Sequence, residues 1–548
     1  MKLLKFIMGW LLLFSFVLIF SAQTVKLGDR NKNAVVAFVN VNVVPMDRER
    51  ILYNQTVIVR DGIISEIGAA ETIKVPADAL RIDGKTNLFL MPGLADMHSH
   101  LRYDGDLLLY VANGVTTVRN MSGSPEHLKW REEIEKEEVL GPTIYTAGPI
   151  LKGEVKNAAE AQRIVNEQKN AGYDFIKVYD QLPKDAYEGV IAAAAKLKMQ
   201  VAGHVPTAVG VEGVLKAKQA SIEHAEQFVY HYFGNYDSFN LDKTKIPYIA
   251  QETKKAGTYV CPTLGIIENY ILLVDNQQKL FSRPELKYTH PETYAWWHTQ
   301  HRDSSSANKA IYAFQKDLVK GFRDAGVPML AGTDIYNIGF VAGFSLHREL
   351  QELVDAGLTP YQALETSTKN AGEYFRKNFG TIAVGSRADL ILIDKNPLED
   401  IKNISLREGV MVRGRWFTDA ELKLVLNDLE QSYSVGQMFV KLVVDGKPEQ
   451  AVQTFHDFTR NKKEIIQSQR YVFDSMGKLL LRENRTKDAI EILKLNVENF
   501  PQLFRVYDSL AEAYLADGNK KMAIENYKKS LQLNPQNSNA AEQLKKLE

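Results

Sequence analysis

Between residues 94 and 334 the chain alternates short, almost continuously apolar runs with longer stretches of helical pattern. The runs are 94–101, 115–121, 142–148, 175–179, 200–205, 221–225, 259–264 and 329–334, each followed by a polar or glycine-containing turn. Unbroken hydrophobicity over so few residues marks a strand buried on both faces, as in a parallel sheet covered by helices. Eight such strands separated by helices predict an α/β fold, a closed (β/α)8 TIM barrel over residues 93–379. The gap between the seventh and eighth runs is longer, about 65 residues, and holds "HPETYAWWHTQHR". It predicts a helical insertion near the barrel mouth, where Trp296, Trp297, His298 and His301 either cover a site or simply pack.

Both flanks alternate apolar and polar residues instead. "QTVIVRDGIISEIG" precedes the barrel, and "GTIAVGSRADLILIDKNP" and "GVMVRGRWF" follow it. Neither flank makes a comfortable sheet alone, so residues 33–92 and 380–430 are expected to pair into one small β-sandwich domain. Farther on, Ala489 and Ala523, Leu481 and Leu515, and Pro501 and Pro535 each lie 34 residues apart. That is the helix-turn-helix period of tetratricopeptide repeats. "DAIEILKLNVENFP" and "MAIENYKKSLQLNP" read as the second helices of two units, and "DGKPEQAVQTF" as the end of a weaker third. Residues 435–548 are therefore expected to form a stacked α-helical repeat domain, open to a protein partner or to self-association.

Composition narrows the picture. Lys+Arg and Asp+Glu both count 67 in 548 residues, so no net charge draws the chain to nucleic acid, and no nucleic-acid partner is expected. The start, "MKLLKFIMGWLLLFSFVLIFSAQ", has two lysines, an apolar stretch and small residues up to Ala22. It reads as a signal peptide over residues 1–22, with an uncleaved membrane anchor as the alternative; its apolar run is short of the roughly 20 residues of a membrane span. Cys261 is the one cysteine and forms no intramolecular disulfide; it reads as an inert core thiol. Export without disulfides fits a bacterial periplasm or cell surface.

The chemistry begins with "LADMHSHL". His98 and His100 are two apart, so on a strand both imidazoles face one side. His204 in "VAGHV", His224 in "SIEHA" and Asp334 in "LAGTD" end three further runs. Five nitrogen and oxygen donors at one level of a barrel form a metal-binding set. Lys177, in "FIKVY", is an ammonium inside an apolar strand, which is costly unless paired. Either it pairs with a carboxylate, or its neutral amine takes up carbon dioxide as a carbamate that can bridge two ions.

These stretches, with "MPGLADMHSHL", "NGVTTVRNM", "YDFIKVYDQL", "GHVP", "GFSLHRELQELVDAGLTP" and "GSRADLILIDKNPLEDI", resemble the amidohydrolase superfamily in its imidazolonepropionase-like and prolidase-like branch. The resemblance covers about residues 33–430. It implies His98 and His100 on a more buried ion with Asp334, His204 and His224 on a more exposed one, and carboxylated Lys177 bridging them. Two divalent ions, expected to be zinc, would supply a hydroxide. Asp334 would move the proton and His224 or a nearby donor would steady the oxyanion, for hydrolysis of a C–N bond in a small-molecule substrate, peptide-like or a cyclic amide. Many prolidase-like relatives carry a tyrosine where this chain has Val205 and Pro206, which leaves a dipeptide substrate open. The same device also suits a lactonase or phosphotriesterase, and a degenerate scaffold is the reading from another class. Tyr230, His231 and His347 are weaker substrate candidates.

Overall fold

The computed structural model describes residues 35–234, 241–300, 306–460 and 470–547; the expected signal peptide and His301 lie outside the described residues. Five strands come first: β1 (Val36–Val43), β2 (Leu52–Arg60), β3 (Ile63–Ala69), β4 (Leu80–Asp83) and β5 (Phe89–Pro92). Next are β6 (Leu94–Ser99), β7 (Val115–Asn120), β8 (Thr143–Thr146), β9 (Phe175–Val178), β10 (Gln200–Gly203), β11 (Ser221–Glu223) and β12 (Tyr259–Cys261), with helices between successive strands. β13 (Leu390–Ile393), β14 (Arg407–Val412) and β15 (Arg415–Thr418) close the set.

β6 to β8 form one parallel sheet and β9 to β12 another, nearly all of it buried, as unbroken apolar runs require. A bridge between Ala147 and Phe175 joins the two sheets, and Val260 bridges to Met329. The N–H of Leu330 donates to the Val260 carbonyl at 2.9 Å, and the N–H of Met97 donates to the Ala331 carbonyl at 2.8 Å. Hydrogen bonding thus returns to β6. The eighth run, 329–334, is not a regular strand. Gly332 lies so close to β6 that a Cβ would stand 2.5 Å from the His98 nitrogen, and Asp334 turns to a left-handed φ of 53°. Both features interrupt an extended repeat.

Strands from both flanks share one sheet, in the order β15-β14-β13-β5-β1-β2-β3, with β4 pairing in parallel with β1. The sheet folds over on itself: Phe38 of β1 and Trp416 of β15 meet with ring centroids 5.2 Å apart although three strands separate them in the order, so two layers face each other as the expected β-sandwich requires. β1 carries register shifts between Phe38 and Val41 and between Val41 and Val43, and the bend lets it meet β4 and β5 along a single edge.

A helical C-terminal region follows, of seven helices among the described residues from Asp419–Val444 to Ser538–Leu547. The first is long, and Thr418 and Glu421 cap its start reciprocally. The sequence pattern puts a break between 430 and 435, yet this helix runs straight through. Leu422, Leu426, Leu429 and Tyr433 bury against the α/β core, whereas Val435, Phe439, Val440 and Val443 bury among the C-terminal helices. Apolar spacings of three and four residues persist across both halves, so nothing interrupts the helix.

Candidate metal centre

The C-terminal ends of the short parallel strands bring most of the predicted donors together. His98 is the penultimate residue of β6 and His100 lies just beyond the strand; their Nε2 atoms stand 3.4 and 2.9 Å from Asp334 Oδ1. Donor atoms of His98, His224 and Asp334 all lie within 4.8 Å of one another. The His98 and His224 rings are 4.6 Å apart, and those of His204 and His224 are 4.9 Å apart. His224 and Asp334 adopt left-handed backbone angles of 71° and 53°, uncommon for residues with side chains and found where surrounding structure fixes a site.

Hydrogen bonds fix the tautomers. Thr263 Oγ1 donates to the Pro262 carbonyl, so at 2.7 Å it must accept from His224 Nδ1–H, which leaves the His224 Nε2 lone pair free to ligate. His98 Nδ1–H donates to Glu223 Oε2 at 2.8 Å, so its Nε2 lone pair faces Asp334. The only N–H of neutral His224 is committed to Thr263, so that ring holds no further donor for an oxyanion.

Glu223 and Arg119, the pair behind His98, are not singled out by the sequence pattern. Arg119 Nη2 donates to both Glu223 oxygens at 2.7 and 2.8 Å, and Nη1 to Ser221 Oγ at 2.9 Å, all fully buried. Burial would raise the Glu223 carboxyl, but Arg119 and His98 outweigh it and hold it far below the usual carboxylate range. The signal was present as two charged residues inside apolar runs, in "NGVTTVRNM" and "SIEHA". Asn120 and His127 were missed as well. Asn120 Oδ1 accepts from Leu101 N–H at 3.0 Å, and His127 Nε2–H donates to the Leu101 carbonyl at 2.9 Å, which pins the residue after His100.

Lys177 is 1% exposed, and among the described residues its ammonium has no hydrogen-bond or ion-pair partner. Burial brings its ammonium down to about 8, with Glu223 and Asp334 opposing the shift. Burial likewise would raise Asp334, but His98 and His100 hold it well below the usual carboxylate range. The His204 ring stacks on Tyr179 at 4.0 Å, and its Nδ1 lies 3.8 Å from Asp180 Oδ1; both atoms are buried without a partner. Imidazole lone pairs turned inward, an ionised carboxylate and an orphaned imidazole nitrogen form a donor set that fits divalent ions of the zinc type.

One of the three weaker candidates, His347, lies away from this centre. His231 Nε2 sits 2.7 Å from Glu212 Oε2 on the outer side of the helix Glu226–Phe233, because Phe228 and Val229 take that helix's buried face. Tyr230 is half-buried on the same helix. His347 Nε2–H donates to the Asn113 carbonyl at 2.9 Å, before β7 begins and so at the opposite end of the strands; burial lowers it to about 3. In the insertion, Trp297 is fully buried and His298 stacks on Phe281 at 4.4 Å, while Trp296 is exposed. Cys261 is buried, which pushes its thiol up.

Comparison with known proteins gives consistent relatives. The family described as "Amidohydrolase family" matches residues 89–417. Ochratoxinase of Aspergillus niger is 25% identical over 438 residues, covering 66% of this chain and 81% of that protein. Imidazolonepropionase of Pyrobaculum arsenaticum is 25% identical over 364 residues, covering 64% and 88%. Among solved structures, bottromycin amidohydrolase superposes with a TM-score of 0.59 at 23% identity, over 73% of this chain and 91% of that one.

Proposed function

The chain belongs to the amidohydrolase family, and from that premise we propose that it is an exported, binuclear metal-dependent hydrolase that cleaves a C–N bond in a peptide-like or cyclic amide. The observation that carries this reading is the convergence of His98, His100, His224 and Asp334, with the Nδ1–H of His98 and of His224 engaged so that each Nε2 lone pair is left free. His98, His100 and Asp334 would hold one ion and His204 and His224 the other, with Lys177 as a carbamate between them. A neutral amine is what reacts with carbon dioxide, and the lowered affinity of buried Lys177 for its proton favours that form. Two divalent ions, zinc in this reading, would supply an acidified water and polarise the scissile carbonyl. Asp334, ionised at neutral pH, would take up the proton of the attacking water and pass it to the leaving nitrogen.

The eight extended segments fit a (β/α)8 barrel over residues 93–379, supported by the hydrogen bond from the Leu330 N–H to the Val260 carbonyl on one side and from the Met97 N–H to the Ala331 carbonyl on the other. The 34-residue spacing supports tetratricopeptide-type units in 435–548, and the N-terminal pattern supports export to a bacterial periplasm or cell envelope. Metal analysis of the mature protein, with a panel of N-acyl amino acids, dipeptides and cyclic amides and with lactones and phosphotriesters as controls, tests the function. Two equivalents of divalent metal and turnover of an amide are expected. Metal-free protein, or turnover confined to the controls, overturns it.

A further inference from the structure

His100 and Asp334 sit on stretches, 100–103 and 334–340, that belong to no helix or strand. Their positions therefore depend on what packs against them. Tyr103, three residues after His100, stacks on His290 with ring centroids 3.7 Å apart, and its hydroxyl donates to Glu292 Oε2 at 3.2 Å. Tyr336, two residues after Asp334, donates through its hydroxyl to Asp106 and accepts at its carbonyl from Trp297 Nε1 at 3.5 Å. The Arg102 guanidinium lies 4.4 Å over the Tyr336 ring and ties the two stretches together. His290, Glu292 and Trp297 all belong to the insertion, at or in its helix Pro291–His298.

The opposite side of the insertion is held by the C-terminal helices. Gln437 Nε2, on the long helix, donates to the carbonyls of Leu286, Lys287 and Thr289 at 3.0, 3.2 and 2.5 Å. Lys287 pairs with Glu430 at 2.7 Å, and Arg482 donates to the Thr299 carbonyl at 2.6 Å. Ala295 is fully buried in the same apolar cluster as Phe439, Phe473 and Leu480. One short helix is thus shared by the core of the helical region and the rim of the metal centre.

We propose that the C-terminal helices are a positioning part of the catalytic site: through the insertion helix they hold the Tyr103 and Tyr336 stretches, and with them His100 and Asp334, in the geometry that receives substrate. This rests on the hydrolase reading for its substrate consequence but not for its structural one. Gln437 touches neither donors nor substrate and acts only through the insertion.

The test uses the full chain with Gln437→Ala, and Tyr527→Ala as a comparison that loosens the far end of the helical region, where Tyr527 is buried away from the insertion. Hydrogen exchange is followed by mass spectrometry alongside bound metal, kcat and KM. In Gln437→Ala, exchange of residues 100–106 and 334–340 should quicken about fivefold or more and KM should rise by a similar factor, with metal content unchanged. Tyr527→Ala should change neither. If exchange quickens only in 284–300 and the long helix while 100–106 and 334–340 stay protected, the proposal fails. The exchange arm stands even where no substrate is turned over, so loss of the hydrolase reading and loss of this proposal are separately visible.

Discussion

At the scale of single residues, the ion pair behind His98 decides how firmly that imidazole is aimed. Arg119 is fully buried, so removing its partner leaves an uncompensated cation. Glu223→Gln should cost about 3–5 kcal/mol in urea unfolding and weaken metal binding about 10–100-fold in chelator competition. Replacing both partners, Arg119→Met with Glu223→Gln, should restore most of the stability but not the affinity. Unchanged affinity in the single variant would remove Glu223 from the site. His347 gives a second prediction. Its folded-state pKa of about 3 lies below the ordinary imidazole value near 6.5, so between those limits the unfolded chain binds more protons. Stability from the neutral ring is present above about 6.5 and is lost as pH falls toward about 3. His347→Gln keeps a donor for the Asn113 carbonyl, so the advantage in Tm of the native chain over this variant should shrink on acidification. Parallel melting curves from pH 7 to 4 would contradict the assignment. The donors were legible in the sequence because they end apolar runs, where alternation fixes the face. His231 and His347 were not, since a helix points neighbours in different directions and only packing selects which one turns inward.

At the scale of elements, the segment 329–334 closes the hydrogen-bonded circuit by lying against β6. A Cβ on Gly332 would meet the His98 nitrogen at 2.5 Å, Cys261 Sγ at 2.6 Å and His98 Cβ at 2.6 Å. Gly332→Ala should therefore lower stability by about 1–3 kcal/mol and shift His98 enough to reduce bound metal. Cys261→Ala in the same chain removes only the sulfur clash and should not rescue it; full rescue would show that the backbone has room. The apolar runs announced each strand but overstated most of them. β11 stops at Glu223, β12 at Cys261 and β6 at Ser99, although their runs continue to 225, 264 and 101. Left-handed residues, His224, Thr263 and Asp334, turn the chain at or just beyond the strand ends, and hydrophobicity carries no record of that turn. The flanking strands were legible as alternation, whereas their union in one sheet depends on bulges in β1 that no periodicity marks.

At the scale of the whole molecule, the helix Asp419–Val444 belongs to two apolar clusters at once, the α/β core up to Tyr433 and the C-terminal helices from Val435. A repeat count sees the start of a period near 435, but helical spacing continues unbroken through it, and sequence does not say which body each half docks on. This continuity makes the two bodies unfold together. Outside residues 1–22 the tryptophans are Trp130, Trp296, Trp297 and Trp416, all in the α/β part and the insertion, and residues 419–548 contain none, so fluorescence reports on the first body and far-ultraviolet circular dichroism on both. Coincident unfolding curves from the two probes are expected for the native chain. Ser434, exposed between Tyr433 and Val435, is the place to cut the coupling without touching either core. Ser434→Pro removes a helical hydrogen bond and bends the helix at a cost of about 3 kcal/mol. The dichroism should then split into two steps, with fluorescence following only the later one. Two steps already present in the native chain would mean that the helix joins the bodies by sequence alone, and that the shared insertion helix transmits little between them.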